Sequence, residues 1–102
     1  MTLQKVENNE ATFTGTATIT GIHFVSELDG NICFVPDASS LLKIPNLRKD
    51  PSGNQFCFTN QDGAKALLGV NNGKAAIVIT GYRDWTIDTS QTPQTTLVQL
   101  AN

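Results

Sequence analysis

The stretch ATFTGTATITGIHFV, residues 11–25, decides the fold. Thr12, Thr14, Thr16, Thr18 and Thr20 alternate with Ala11, Phe13, Gly15, Ala17 and Ile19. A period of two is that of a β-strand, whose successive side chains point to opposite faces. One face carries β-branched threonines, which suit a pleated surface, and the other is apolar. At Gly21 the alternation predicts a phase slip, because Ile22 and Phe24 now hold the even positions. A glycine at such a slip points to a bulge or a sharp bend, and long bent first strands help close small barrels.

Working outward, Asp29-Gly30 is a hairpin signal, and a second strand is expected over Asn31–Val35, ended by Pro36. Asp37 can cap a helical turn over Ser39–Lys43, after which Pro45, Asp50-Pro51 and Ser52-Gly53 mark loop. The third strand is expected at Gln55–Thr59. Asn60 can cap a short helix over Gln61–Leu68 whose apolar stripe is Ala64, Leu67 and Leu68, with Gly69 placed to stop it. A fourth strand follows over about 74–82, then a loop from Arg83 to about Gln94, and a fifth strand over about 95–100. Residues 1–10, polar and carrying the Asn8-Asn9 turn signal, are expected to form a flexible leader to a single domain over 11–102.

The order strand, strand, strand, helix, strand, strand is that of the five-stranded OB-type barrel, with its helix between strands three and four. A generic antiparallel sandwich or roll is the alternative. A chain of 102 residues suffices for one such domain and is too short for two.

Composition narrows the function. Charged residues are 16% and the net charge is −2. Of the seven basic residues only Arg48 and Lys49 adjoin, so the concentrated basic face that nucleic acid demands is missing. No stretch is long and apolar enough to be a membrane-spanning helix. The N-terminus lacks the charged, apolar and small-residue order of a signal peptide, which fits either a processed exported chain or a cytosolic one.

Cys33 and Cys57 each sit in the middle of a predicted strand between apolar neighbours. If those strands pair, both sulfurs fall on one face within bonding reach. A bridge there would close a loop of about 25 residues, worth roughly 3 kcal/mol in the chain-entropy description. Two buried free thiols are the alternative. One histidine and two cysteines at this spacing cannot complete a zinc site, so no metal or other cofactor is expected.

Catalytic candidates are sparse. His23, Ser26 and Asp29 share one hairpin, where ordinary polar loop content competes with a small hydrolase-like enzyme using His23. No phosphate-cradling Gly-rich loop and no EF-hand spacing occurs. The stronger candidates are binding residues. OB barrels bind across strands two and three, between the loops that follow strands one and four. Those loops here hold His23 and Phe24 on one side and Tyr82, Arg83 and Trp85 on the other. Trp, Tyr and Arg are enriched at binding hot spots, although Tyr82 and Trp85 could equally close one end of a core.

The segments GNICFVPDASS (30–40), NQFCFTNQDGAKALLGV (54–70) and GKAAIVITGY (73–82) resemble a family of small exported bacterial proteins and lipoproteins of uncharacterised function. The shared pattern is Cys33-Phe34 with Asp37, then Phe56-Cys57-Phe58 with Asn60, Ala66 and Leu68-Gly69, and it spans most of residues 11–100. The resemblance implies a periplasmic or outer-membrane-anchored location, a barrel-like fold and a disulfide, and it implies no catalytic residues. Some relatives carry further cysteines, whereas two here leave no second bridge. The chain is also similar, more loosely, to bacterial toxin B-subunits, OB barrels that assemble in rings and bind glycans. Its predicted helix is far shorter than the pore-lining helix of the cholera type, a departure that argues against a pentamer. The expected function is therefore a non-enzymatic exported module that binds a protein or envelope component, with glycan binding through Tyr82 and Trp85 as the alternative.

Overall fold

A computed structural model of the chain describes residues 1–7, 10–44, 55–84 and 96–100. The fold is mainly β. Its elements are β1 (Thr2–Glu7), β2 (Glu10–Val25), β3 (Ile32–Pro36), α1 (Ala38–Leu41), β4 (Phe56–Phe58), α2 (Gln61–Leu68), β5 (Gly73–Asp84) and β6 (Thr96–Leu100). The expected strands one to five are β2 to β6, and the expected helix is α2. The six-stranded sheet has the order β1-β2-β3-β4-β6-β5, and β5 also pairs with β2. Every ladder is antiparallel except β4–β6.

The long strand β2 organises the rest. Its N-terminal half pairs with β1, its C-terminal half with β3, and nearly its whole length with β5. Its odd-numbered side chains point inward from start to finish: Ala11, Phe13, Ile19 and His23 are buried, and Ala17 and Val25 pack against the core. The phase slip predicted at Gly21 does not occur. The β2–β5 register runs without interruption from Ala17↔Ile79 to His23↔Gly73. The irregularity lies earlier, between Thr14 and Ala17, where Gly15 adopts φ +117°. Only glycine visits that backbone region at little cost.

Gly21 has a different task. A Cβ there would lie 2.1 Å from the Val35 carbonyl oxygen and 2.9 Å from the Pro36 Cα. The missing side chain lets the paired backbone of β3 lie close beside Gly21, so the glycine serves a close approach of the two strands and not a change of phase.

Phe13, Phe34, Phe56, Phe58 and Tyr82 form a connected aromatic core. Phe34 stacks on Phe56 at 5.7 Å, Phe58 meets Phe56 edge-on at 5.7 Å, and Tyr82 joins Phe56 at 6.2 Å and Phe13 at 5.9 Å. Ile19, Ile32, Ile44, Ile77, Ile79, Ala64 and Leu100 complete it. Cys33 stands opposite Cys57 and Phe34 opposite Phe56, so alternation places the sulfurs on one face of β3–β4 and the rings on the other. The two cysteines form a disulfide.

Helix α2 falls where the sequence puts it, but its start is held differently. Asn60 makes no side-chain cap. Its amide instead donates to the Leu100 carbonyl and accepts from the Leu100 N–H, both at 2.9 Å, in the manner of a neighbouring strand. The next residue repeats the device. Gln61 accepts from the Ile32 N–H at 2.6 Å and donates to the Ile32 and Phe58 carbonyls at 2.9 and 2.8 Å. These bonds satisfy backbone groups at strand ends that would otherwise go unpaired. Of the expected apolar stripe, Ala64 is buried and Leu68 packs on the core, while Leu67 is exposed.

The leader expected over residues 1–10 is, at Thr2–Glu7, the strand β1. All six of its side chains are exposed, and a register shift between Leu3 and Lys5 interrupts its ladder. Backbone pairing to β2, rather than burial, accounts for it.

Candidate functional site

Strand alternation carries His23 inward. It is 8% exposed and stands in register with Phe34 on one side and Gly73 on the other. A Cβ at Gly73 would meet the His23 Nε2 at 2.9 Å, so the imidazole lies over a position kept bare for it. Among the described residues its buried Nδ1 has no hydrogen-bond partner. The hairpin residues once grouped with it are engaged elsewhere. The Ser26 hydroxyl accepts from the Leu28 N–H, and the Asp29 carboxylate accepts from the Asn31 N–H, both shaping the turn. The arrangement His23-Ser26-Asp29 is therefore not brought together as a nucleophile, base and orienting acid. Among the described residues no group of three His, Cys, Asp or Glu side chains converges as a metal site.

The rim residues separate in the same way. Tyr82 is 3% exposed, its ring held between Phe13 and Phe56. It belongs to the core, so its faces are not offered to a ligand. Arg83 is half-buried within β5, opposite Thr12, and not in a loop. Phe24 is half-buried on the outward side of β2, beside Cys33. Trp85 lies outside the described residues.

A different surface takes shape on the outer face of β5, β2 and β3. Ile22 stands between Lys74 of β5 and Val35 of β3, all in register. Ile22 is 46% exposed and Val35 39%. Phe24 adjoins them along β2, and Ala76 and Val78 continue the apolar surface along β5 opposite Thr20 and Thr18. An open depression of about 460 Å³ lies beside Ile22, lined by Thr20, Gly21, Asp37, Lys74 and Ala75.

The Asp37 wall of that depression is held by several hydrogen bonds. Its carboxylate accepts from the Thr20 hydroxyl, from the Ser39 hydroxyl at 2.9 Å and from the Ser40 N–H at 2.9 Å. The Thr20 hydroxyl first, then the Ser40 N–H and the Ser39 hydroxyl, hold its pKa down from the usual 3.8 to about 2. The buried Ser40 hydroxyl in turn accepts from the Thr20 N–H at 2.7 Å, and the Lys43 ammonium donates to the Thr18 carbonyl at 3.2 Å. Helix α1 is thereby stapled across β2, fixing a carboxylate on one side of the depression while Lys74 lines the other. The arrangement offers an apolar strip with one negative and one positive group beside it.

Sequence reasoning misses this surface because the expected slip at Gly21 turns Ile22 inward. The signal that finds it is the odd-position apolar pattern Ala11, Phe13, Ala17, Ile19, which returns at Val25. Comparison of the chain with protein-family models, with curated proteins and with solved structures finds no match.

Proposed function

We propose that this chain is a non-enzymatic binding module, exported from a bacterial cell, which docks a protein component of the envelope on the outer face of β2 and β3. One observation carries the reading: Ile22 and Val35, beside half-buried Phe24, leave apolar surface exposed on the outer face of the sheet, flanked by Asp37 and Lys74. Apolar groups at the centre of a patch with charges at its edge are the anatomy of a protein-docking surface.

The architecture proposed beneath it is a five-stranded OB-type barrel. Support comes from the ladders β2-β3-β4-β6-β5 with β5 returning to β2, from the parallel β4–β6 pair, and from α2 between β4 and β5. The disulfide is compatible with an oxidising compartment, and no helix among the described residues is long and apolar enough to cross a membrane.

The test is retention of envelope proteins by the immobilised protein, compared with Ile22→Lys and with Lys65→Ala on the exposed side of α2. A partner held by the wild type and by Lys65→Ala, and lost by Ile22→Lys, supports the reading. Retention of the same partners by all three overturns it.

A further inference from the structure

Strand β1 widens the sheet by one strand and, among the described residues, leaves its outer edge open. Among the described residues it pairs only with β2. Such an edge presents a row of N–H and C=O groups to any strand that lies beside it. Leu3 and Val6 stand in register with Phe13 and Ala11 of the core, so they share the inward face. They nevertheless remain 47% and 46% exposed, because nothing packs beyond them among the described residues. Lys5 and Glu7 occupy the opposite face, with the ammonium 3.5 Å from the carboxylate of the same chain.

We propose that the outer edge of β1 is a self-association surface, which takes a second copy of this chain in antiparallel pairing centred on Val6. Charge complementarity selects that occupant and that register. Read in antiparallel, Lys5-Val6-Glu7 is its own complement: Val6 faces Val6 of the second copy, Lys5 faces Glu7 and Glu7 faces Lys5. A parallel arrangement in register would oppose Lys5 to Lys5 and Glu7 to Glu7, and like charges directly opposite are destabilising. A lysine on an edge ordinarily discourages pairing. Here the glutamate two residues on supplies its counterpart, so the edge repels unrelated strands and admits its own copy. The pairing also covers Val6, whose burial the single chain leaves half complete. The irregularity between Leu3 and Lys5 bounds the ladder on its N-terminal side, so the new interface is short and the association weak. This surface is separate from the outer face of β2 and β3, and either can fail without the other.

Sedimentation equilibrium of the intact protein from roughly 20 µM to 2 mM reads it. The wild type is expected to move from monomer mass toward twice that mass across the range. Lys5→Glu alone, or Glu7→Lys alone, opposes like charges and is expected to weaken the dimer at least tenfold. Mixing the two variants in equal amounts restores opposite charges at both positions, and native mass spectrometry with one variant isotopically labelled should then show the mixed dimer. All four side chains concerned are exposed, so the variants are expected to keep the wild-type circular dichroism spectrum. A wild type that stays monomeric overturns the proposal. So does a dimer indifferent to both substitutions, and so does failure of the mixture to restore the dimer that each variant loses.

Discussion

Gly21→Ala tests the close approach of β3 to β2. Alanine adds one carbon, and that carbon would lie 2.1 Å from the Val35 carbonyl oxygen, 2.8 Å from the Phe34 ring and 2.9 Å from the Pro36 Cα. Cβ contacts below 3.0 Å essentially never occur, so the two backbones must part by about 1 Å. The carbonyl belongs to the backbone of the paired strand and cannot rotate away as a flexible side chain would. A displacement of that size widens a strand spacing of about 4.8 Å and weakens the ladder from Gly21↔Pro36 to Val25↔Ile32. Overpacking by one methyl within a core costs about 1–3 kcal/mol, and a clash with fixed backbone belongs at or above the top of that range. About 3 kcal/mol is a large fraction of the stability of a domain this small. Urea denaturation reads it as a midpoint lowered by roughly 2 M. Gly30→Ala is the control: it meets no atom within 4 Å but sits at φ +74°, so only the backbone term remains, about 1 kcal/mol. A Gly21→Ala variant that costs no more than Gly30→Ala would refute the close approach.

Four further outcomes follow from the same packing. Reducing Cys33–Cys57, which lie 24 residues apart, should cost about 3 kcal/mol in thermal or chemical unfolding. Gln61→Ala removes three bonds to the Ile32 N–H and to the Ile32 and Phe58 carbonyls, and should cost about 2–3 kcal/mol while hydrogen exchange quickens at the Ile32 amide. The carboxyl of Asp37 has a folded pKa of about 2 against the usual 3.8, so its contribution is complete above about pH 4 and lost as the pH falls toward 2. Melting temperatures between pH 5 and 2 should therefore fall less steeply in Asp37→Asn than in the wild type. His23→Leu replaces a buried group whose Nδ1 has no partner among the described residues with an apolar one, and should change unfolding stability by less than about 1 kcal/mol.

Those outcomes also mark what the sequence discloses. Five strands, the helix at Gln61–Leu68, the Asp37 cap and the bridge between Cys33 and Cys57 are legible because each rests on local signals: alternation, turn residues, or chemistry that permits one pairing. What escapes depends on contacts distant in sequence. Gly21 looks like a change of phase because Ile22 and Phe24 are apolar and His23 is not. In three dimensions Gly73 clears room for the imidazole, and the strand keeps its phase. Asn60 looks like a cap by position, yet the strand end at Leu100, 40 residues away, claims its amide. Tyr82 is left open between rim and core by its neighbours Arg83 and Trp85, because its partners Phe13 and Phe56, which place it in the core, come from other strands. Strand β1 carries no burial pattern at all, since both of its faces are exposed. The outer face of β2 and β3 is correspondingly invisible until the phase of β2 is known.

The docking face is tested most directly by photo-cross-linking. A photoreactive amino acid is placed in turn at Ile22, at Val35 and, as a control, at Lys65 on the far side of α2, and each protein is irradiated in the intact envelope. The account predicts one protein adduct of the same mass at positions 22 and 35 and none at 65. Adducts at 65 alone, the same adduct at all three, or none at 22 and 35 would contradict it.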